Sequence, residues 1–318
     1  MTETISDYEG FDFGRLWEGR HRVTTVERDI LGRALRGADT RRILEVGSGF
    51  GRLTGELLAL APEVVASDFD VASLASLRTP PAGPAPTLRV AANVYHLPFV
   101  DGAFSAATMI RVHHHLGDPA AALRELARVL TPGGTAVVSH VPRPTLGTLA
   151  NDIERATRRR PPGPFRSVTF SGAPVVALPP EPFPVFVRPR ETFATDARSG
   201  GFEVETEFGT GFEEYRFLRA LPASFYVSLG ERLGRAPGFP TRFVRLRRGP
   251  AGAGSWPVLA SILACPRCRE PLGPPSGDPI ECLRCGYLGR SGNGVLDLRF
   301  LPEDSVRLGP RGGSSAAK

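Results

Sequence analysis

Between Arg42 and Thr54 the chain reads Arg-Ile-Leu-Glu-Val-Gly-Ser-Gly-Phe-Gly-Arg-Leu-Thr, and no other stretch limits the fold as tightly. Ile43, Leu44 and Val46 form the short apolar run of a strand buried in a parallel sheet. Gly47, Gly49 and Gly51 interrupt it at every second position, and Leu53, Leu57 and Leu58 resume with helical spacing. Glycine there permits backbone conformations closed to other residues and lets a ligand approach the main chain. A strand, a glycine loop and a helix in that order are how doubly wound sheets hold an adenosine-containing ligand at the carboxyl end of the first strand.

The following hundred residues keep the same rhythm. Val64-Val65-Ala66-Ser67-Asp68 reads as a second buried strand ending in an acid, 17 residues past Gly51. Such folds place there a carboxylate that accepts hydrogen bonds from ribose hydroxyls, so Asp68 is a candidate binding residue rather than a solvated strand cap. Leu88–Ala92, Ala106–Ile110 and Thr135–Val141 read as further strands, and Pro119–Leu130 as a helix stopped at Gly133-Gly134. The alternation predicts an α/β fold: a doubly wound, mostly parallel, Rossmann-like sheet with helices on both faces. Ahead of it, residues 1–40 read as a helical cap, with Val23, Val26, Ile30, Leu31, Ala34 and Leu35 on one face. That face predicts packing on the sheet. The aromatics before it, Trp17 among them, fit either packing or a flap over the ligand together with Arg20.

Beyond the sheet the regularity fails. Nine prolines lie between Pro161 and Pro189, just after Arg158-Arg159-Arg160, and proline removes donors and fixes the chain. Residues 142–190 are therefore expected to form an irregular insertion capping the site, held by Phe165, Phe170, Phe183 and Phe186. Pattern returns with a helix over Arg190–Ser199, an edge strand over Phe202–Phe208, a helix over Ala223–Leu233 and a strand over Thr241–Leu246. Residues 249–256 read as a linker, and 302–318 as a disordered polar tail.

Composition narrows the class. The chain has 318 residues, 41% of them hydrophobic, and no apolar run long enough to span a membrane. Met1–Tyr8 is acidic and polar, unlike a secretory signal, so the expected compartment is the cytoplasm. The formal charge of +6 comes almost wholly from arginine, Lys318 being the one lysine, and a solvated arginine-rich surface is favoured over a nucleic-acid face.

The four cysteines all fall in one short stretch: Cys265-Pro266-Arg267-Cys268 and Cys282-Leu283-Arg284-Cys285. Two such pairs form the closed four-thiolate shell that structural zinc prefers, with no position left open for catalysis. Residues 257–301 are therefore expected to be a small zinc ribbon, with Zn2+ held by Cys265, Cys268, Cys282 and Cys285.

Leu44-Glu45-Val46-Gly47-Ser48-Gly49-Phe50-Gly51, Asp68, Leu97-Pro98-Phe99 with Asp101-Gly102-Ala103-Phe104, and Val112-His113-His114-His115-Leu116 together resemble the class I S-adenosylmethionine-dependent methyltransferases, the ubiquinone and menaquinone branch in particular. The resemblance covers about residues 41–142 and extends more weakly to 248. It implies S-adenosyl-L-methionine as cofactor, with Gly47, Gly49 and Gly51 against its methionine portion and Glu45 ordering the loop or the ammonium. It also implies Asp68 on the ribose, Asn93 and the backbone of Val94 at the adenine edge, and Arg111 bordering cofactor and acceptor. The family more often has aspartate at the position of Asn93, whose side-chain oxygen can still accept a hydrogen bond. His114 is the candidate base if the acceptor has a proton to lose; capping and packing are the competing roles for the histidine triplet.

Ile262-Leu263-Ala264-Cys265, Pro271-Leu272 and Gly294-Val295-Leu296-Asp297-Leu298 resemble the small zinc-ribbon proteins that activate methyltransferases acting on translation factors and RNA, except that Gly289 follows Tyr287-Leu288 where the family has Tyr-Pro. Three functions follow. The first is methyl transfer to a small or lipid-like metabolite under the 142–190 cap. The second is methyl transfer to RNA or a translation protein, using the arginines at 158–160 and 242–248. The third is a cofactor-binding regulator without turnover.

Overall fold

The computed structural model describes the chain except residues 1–2, 10, 78–85, 87, 144–167, 171–172, 178–183, 187, 215–220, 237, 251–255, 275–276, 309–313 and 317–318. Strand β1 (Thr4–Ser6) and a one-turn helix α1 (Phe13–Leu16) lead into helix α2 (His21–Ala34). Strands β2 (Arg42–Val46), β3 (Glu63–Asp68), β4 (Leu88–Ala91), β5 (Phe104–Met109) and β6 (Leu130–His140) are interleaved with helices α3 (Thr54–Leu60), α4 (Val71–Ala75) and α5 (Pro119–Val129). Helix α6 (Arg190–Ser199), strand β7 (Phe202–Thr210), helix α7 (Ala223–Leu233) and strand β8 (Thr241–Arg248) follow. Local chemistry fixes the helix starts. Asp70 caps α4 by accepting from the backbone of Ala72 and Ser73, and Asp118 caps α5 by accepting from Ala121 at 2.9 Å, with Pro119 in the first turn.

The strands run β7-β8-β6-β5-β2-β3-β4 across the sheet. β2 to β6 are parallel, and β7 and β8 are antiparallel. Strand β7 is the edge that its alternating sequence predicts. Successive side chains of a strand face opposite ways, so each strand feeds two cores. Leu44, Val65, Ala107 and Val138 bury on one face. Ile43, Val64, Ala106 and Val137 bury on the other, beneath Val26, Ile30 and Leu31 of α2. The chain reverses its march between β2 and β5, and the carboxyl ends of the strands open there into a crevice, the usual ligand position in such sheets.

The sheet does not stop at β4. Past Trp256 come β9 (Ile280–Glu281), β10 (Leu288–Gly292) and β11 (Val295–Asp297). β11 lies parallel to β4, with Leu296 opposite Val90 and Asp297 opposite Ala91, giving ten strands in all. Phe99 bridges to Leu263, the Val100 amide donates to the Ile262 carbonyl at 2.8 Å, and Leu263, Leu272 and Leu298 bury in the same cluster as Leu44. The cysteine-bearing stretch thus covers an edge strand whose backbone groups would otherwise face water.

The tail departs from expectation at its start. Val306–Leu308 forms strand β12, parallel to β1 with Thr4 opposite Val306. The Val306 amide donates to the Glu3 carbonyl at 2.7 Å, and Arg307 pairs with Asp7 at 2.8 Å. A three-residue strand is too short to show a periodicity of its own; its pairing with Thr4–Ser6 makes it one. Of the insertion, Phe165, Phe183 and Arg158–160 lie outside the described residues, as do 251–255 of the linker. Phe186 is buried, and Arg188 donates to the carbonyls of Leu116 and Gly117 at 2.7 and 3.0 Å. No described helix is long and apolar enough to cross a membrane.

Candidate functional site

The crevice is a cleft of about 1340 Å3, its open mouth included, walled by the glycine loop, Asp68, the 92–97 turn, the 110–116 turn, β1 and the aromatics before α2. Gly47, Gly49 and Gly51 all take positive φ, at 77°, 51° and 90°. A side chain at Gly47 would drive its Cβ to 2.1 Å from Val112, whereas the Cβ direction at Gly49 is open space. Gly47 therefore lets two loops meet, and Gly49 leaves room against the backbone.

Asp68 accepts from the Gly49 amide at 2.7 Å through one oxygen and from the Asp70 amide at 2.9 Å through the other. The Phe69 amide adds to these, and an ionised carboxylate, with about four acceptor sites, still has capacity for a ligand donor. Burial pushes this carboxyl above the usual range against the pull of those amides.

Glu45 is fully enclosed and accepts from the Thr54 hydroxyl at 2.6 Å. Burial pushes its pKa up to about 7 against the Thr54 hydrogen bond and the charge of Arg52. The folded chain therefore holds this proton more tightly than the unfolded one. The stabilisation is complete below the ordinary value of 4.5 and is lost as pH rises through about 7. Glu45→Gln, which does not titrate, should match the wild type near pH 4.5 and exceed its stability at pH 8 by on the order of 3 kcal/mol. Urea unfolding at the two pH values checks this; parallel curves for both proteins would contradict it.

Asn93 is buried in the cleft wall, but its amide is already engaged. Its Oδ1 accepts from the Tyr95 backbone at 3.1 Å, and its Nδ2 donates to the Phe300 carbonyl at 3.0 Å. Asn93 thus builds the turn and ties it to the segment after β11. Val94 lines the wall beside it. The Leu97-Pro98-Phe99 turn is braced from α5. Arg128 donates to the carbonyls of Leu97 and Phe99 at 2.9 and 2.7 Å, and the Leu97 amide donates to Glu125 at 3.0 Å.

Arg111 occupies left-handed backbone, φ 64°, with its amide donating to the Ser139 hydroxyl at 2.7 Å. A non-glycine residue in that region marks strain held by its surroundings. Its guanidinium does not point freely into the cleft. It forks onto one oxygen of Glu27 at 2.9 and 2.7 Å, and Arg52 meets the other oxygen at 2.6 Å. Sequence reasoning missed Glu27. The signal was an acid inside the apolar stripe of α2, between Val26 and Ile30. The two arginines hold its carboxyl below the usual range despite complete burial. Trp17 lies over Arg52, and Tyr8, Phe13 and Leu16 line the same wall, so α2 packs on the sheet while the aromatics ahead of it face the cleft.

The three histidines of the 3-10 turn diverge. His113 turns away to a ring cluster with Phe193 and His140, at centroid distances of 5.0 and 6.0 Å. His114 and His115 line the cleft, their rings 4.0 Å apart. Burial, reinforced by the charges of His115 and Arg111, holds His114 well below the usual histidine range, so it is neutral at pH 7, and the same causes oppose its taking up a proton.

Away from the cleft, the four cysteine sulfurs lie within 4.8 Å of one another. Sγ of Cys265 stands 3.6 Å from that of Cys285, and Cys268 stands 3.6 Å from Cys282. A tetrahedral shell with bonds of about 2.3 Å has edges of about 3.8 Å, so the donors fit zinc in number, chemistry and spacing. The two knuckles repeat each other: the Arg269 amide donates to the Cys265 carbonyl and Gly286 to Cys282, both with φ near 65°.

Residues 44–138 match the family described as "Methyltransferase domain". That match and the sheet order define this part of the chain as a Rossmann-like methyltransferase domain. The demethylmenaquinone methyltransferase of Mycolicibacterium vanbaalenii is 37% identical over 113 residues, 35% of this chain and 47% of that protein. The protein of that name from Thermus thermophilus is 40% identical over 110 residues, 34% of this chain and 50% of that one. The chain spans about half the length of these relatives. Among solved structures, a complex of the Haloferax volcanii Trm112 methyltransferase activator with a methyltransferase aligns with 14% identity and a TM-score of 0.49, covering 74% of this chain and 92% of that chain.

Proposed function

We propose that the chain transfers a methyl group from S-adenosylmethionine to a small or lipid-like acceptor, and that its cysteine cluster holds a structural zinc ion. The observation that carries the reading is the juxtaposition of the open Gly49 cradle, Asp68 and His114 around one aromatic-walled cleft. Bound there, the cofactor supplies a methyl group made electrophilic by its sulfonium. Asp68 accepts the ribose hydroxyls, the Gly47–Gly51 backbone takes the methionine portion, and Val94 with the Asn93 turn walls the adenine. Tyr8, Phe13 and Trp17 exclude water and align the acceptor, which is most of what an in-line displacement from a good leaving group requires. His114, which lines the cleft and whose buried Nδ1 has no hydrogen-bond partner among the described residues, would receive the proton that an O–H or N–H acceptor sheds on methylation.

The relatives named above methylate a demethylmenaquinone, which favours the ring-bearing, lipid-like side of this reading. Among the described arginines on which the RNA alternative leans, Arg242 pairs with Glu207 at 2.7 Å, and Arg245 and Arg247 pair with Glu205 at 2.7 and 3.3 Å. The cytoplasm is the proposed compartment, since reducing conditions keep four thiols available for metal.

Calorimetric titration with S-adenosylhomocysteine tests the reading. Micromolar binding to the wild type is expected, weakened at least a hundredfold in Asp68→Ala, which loses both ribose contacts, and unchanged in His114→Ala. Incubation with methyl-labelled cofactor and fractionated cell extract should then place label in the small-molecule fraction, reduced at least tenfold for His114→Ala. No nucleoside binding would sink the reading, and label in RNA or protein would redirect it.

A further inference from the structure

Thr4, Ile5 and Ser6 of β1 wall the cleft beside the Asn93–Tyr95 turn, and Phe69 walls it next to Asp68. Both walls are backed from outside by the segment that follows β11. Arg299 stands over the Phe69 ring at 5.3 Å from its centroid and donates to the Phe69 carbonyl at 3.3 Å, and Arg307 stands over the same ring at 5.8 Å. The two guanidiniums share Glu9, three residues past β1: Arg299 pairs with one oxygen, and Arg307 reaches the other at 3.2 Å. Arg307 also pairs with Asp7, and Arg299 with Asp297, both at 2.8 Å. Arg299 foremost, with Arg307 behind it, holds the Glu9 carboxyl below the usual range against its partial burial. Neither arginine lines the cleft.

Partly exposed ion pairs contribute little singly and more when several charges share one network. Here the network reinforces a strand pairing. Among the described residues β12 is the one strand partner of β1, and the Asp7 amide extends the pairing by donating to the Leu308 carbonyl at 2.8 Å. Strands of three residues make few such bonds. On its other side β1 is fixed by Ile5, buried in the core with Leu44, and by the Ser6 hydroxyl, which donates to the His115 carbonyl at 2.8 Å. A ligand in the cleft and the tail outside it therefore meet β1 from opposite sides, and each gains from the order that the other imposes.

We infer that Arg299 and Arg307 are positioning residues of the cleft. Together with β12 they clamp β1 and Phe69 in place, so that the ligand and a tail strand it never touches stabilise each other. The choice of a nucleoside as that ligand, with its adenine and ribose at these two walls, rests on the proposed function.

The test uses the full chain, as wild type and with Arg307→Gln or with Val306→Pro, which removes the amide that donates to Glu3. Hydrogen exchange read by mass spectrometry is compared with and without S-adenosylhomocysteine. Bound ligand should slow exchange across Val306–Leu308 by about fivefold or more, and slow it far less across Leu288–Gly292 in the ribbon. By the same linkage, both variants should weaken binding of S-adenosylhomocysteine in calorimetry by about fivefold or more. A tail that only stabilised the fold would lower the melting temperature of the variants and leave their affinity alone. Exchange at Val306–Leu308 that the ligand leaves unchanged, or slows no more than at Leu288–Gly292, overturns the clamp, as does wild-type affinity in a folded variant. The wild-type exchange decides the matter if both variants unfold. A wild type that binds no S-adenosylhomocysteine removes the methyl-donor reading, and the clamp is then judged without ligand. In a Trp256→Phe background Trp17, which lines the cleft, is the one tryptophan left. Arg307→Gln should then at least double its quenching by acrylamide, and unchanged quenching overturns the clamp.

Discussion

Cys282→Ser, or prolonged chelation, should lower the melting temperature of the whole protein by more than about 10 °C. Small structural zinc sites contribute about 10–16 kcal/mol at neutral pH, and a domain of this size loses roughly 2–4 °C per kcal/mol. The effect should reach far beyond the knuckles. Cys265 and Cys282 bury in the cluster that contains Leu44 and Phe99, and the Ala264 amide donates to the Pro98 carbonyl at 3.0 Å. Losing the metal therefore removes the support of β4 and of the Leu97-Pro98-Phe99 turn together. Scanning calorimetry combined with metal analysis gives the answer. Wild-type protein stripped of metal that melts at the same temperature as untreated protein would show that the cluster is not a structural metal site.

The second large effect is expected at Glu27. Removing one member of a buried ion pair strands a charge and typically costs about 3–5 kcal/mol, more than the pair itself contributes. In Glu27→Ala, Arg52 and Arg111 face each other without an acid between them, and urea unfolding should register a loss in that range. Arg52→Met added to Glu27→Ala should recover part of it, because one of the two stranded charges is gone. A Glu27→Ala loss below about 1 kcal/mol would mean that water reaches the group and the triad is not closed.

What was legible in the sequence was what short-range spacing encodes. The glycine loop, Asp68 and the paired cysteines each state their chemistry within a few residues, and the alternation of strands and helices states the layer arrangement. Long-range pairing leaves no such trace. Nothing in Val295–Asp297 says that its partner is Leu88–Ala91, and nothing in Thr4–Ser6 says that it will wall the cleft. Asn93 shows a further limit. The resemblance implies a place for it at the cofactor's adenine, but not that its amide also ties the turn to Tyr95 and to the distant Phe300. The histidine triplet was ambiguous for a geometric reason: three adjacent residues on a tight turn must point different ways, and only the surrounding rings decide which faces the cleft.

The pairing of β1 with β12 has a consequence for the order of events during synthesis. Arg307 and Glu9 stand 298 residues apart in sequence and in contact in space. The ribosome delivers Thr4–Ser6 long before the strand that holds it, so the central sheet can assemble while one wall of the cleft still waits. Contacts of such separation form late because so much chain must be ordered before they close. A nascent chain released before Val306–Leu308 emerges would have its glycine loop and Asp68 in place and its cleft still open on the β1 side.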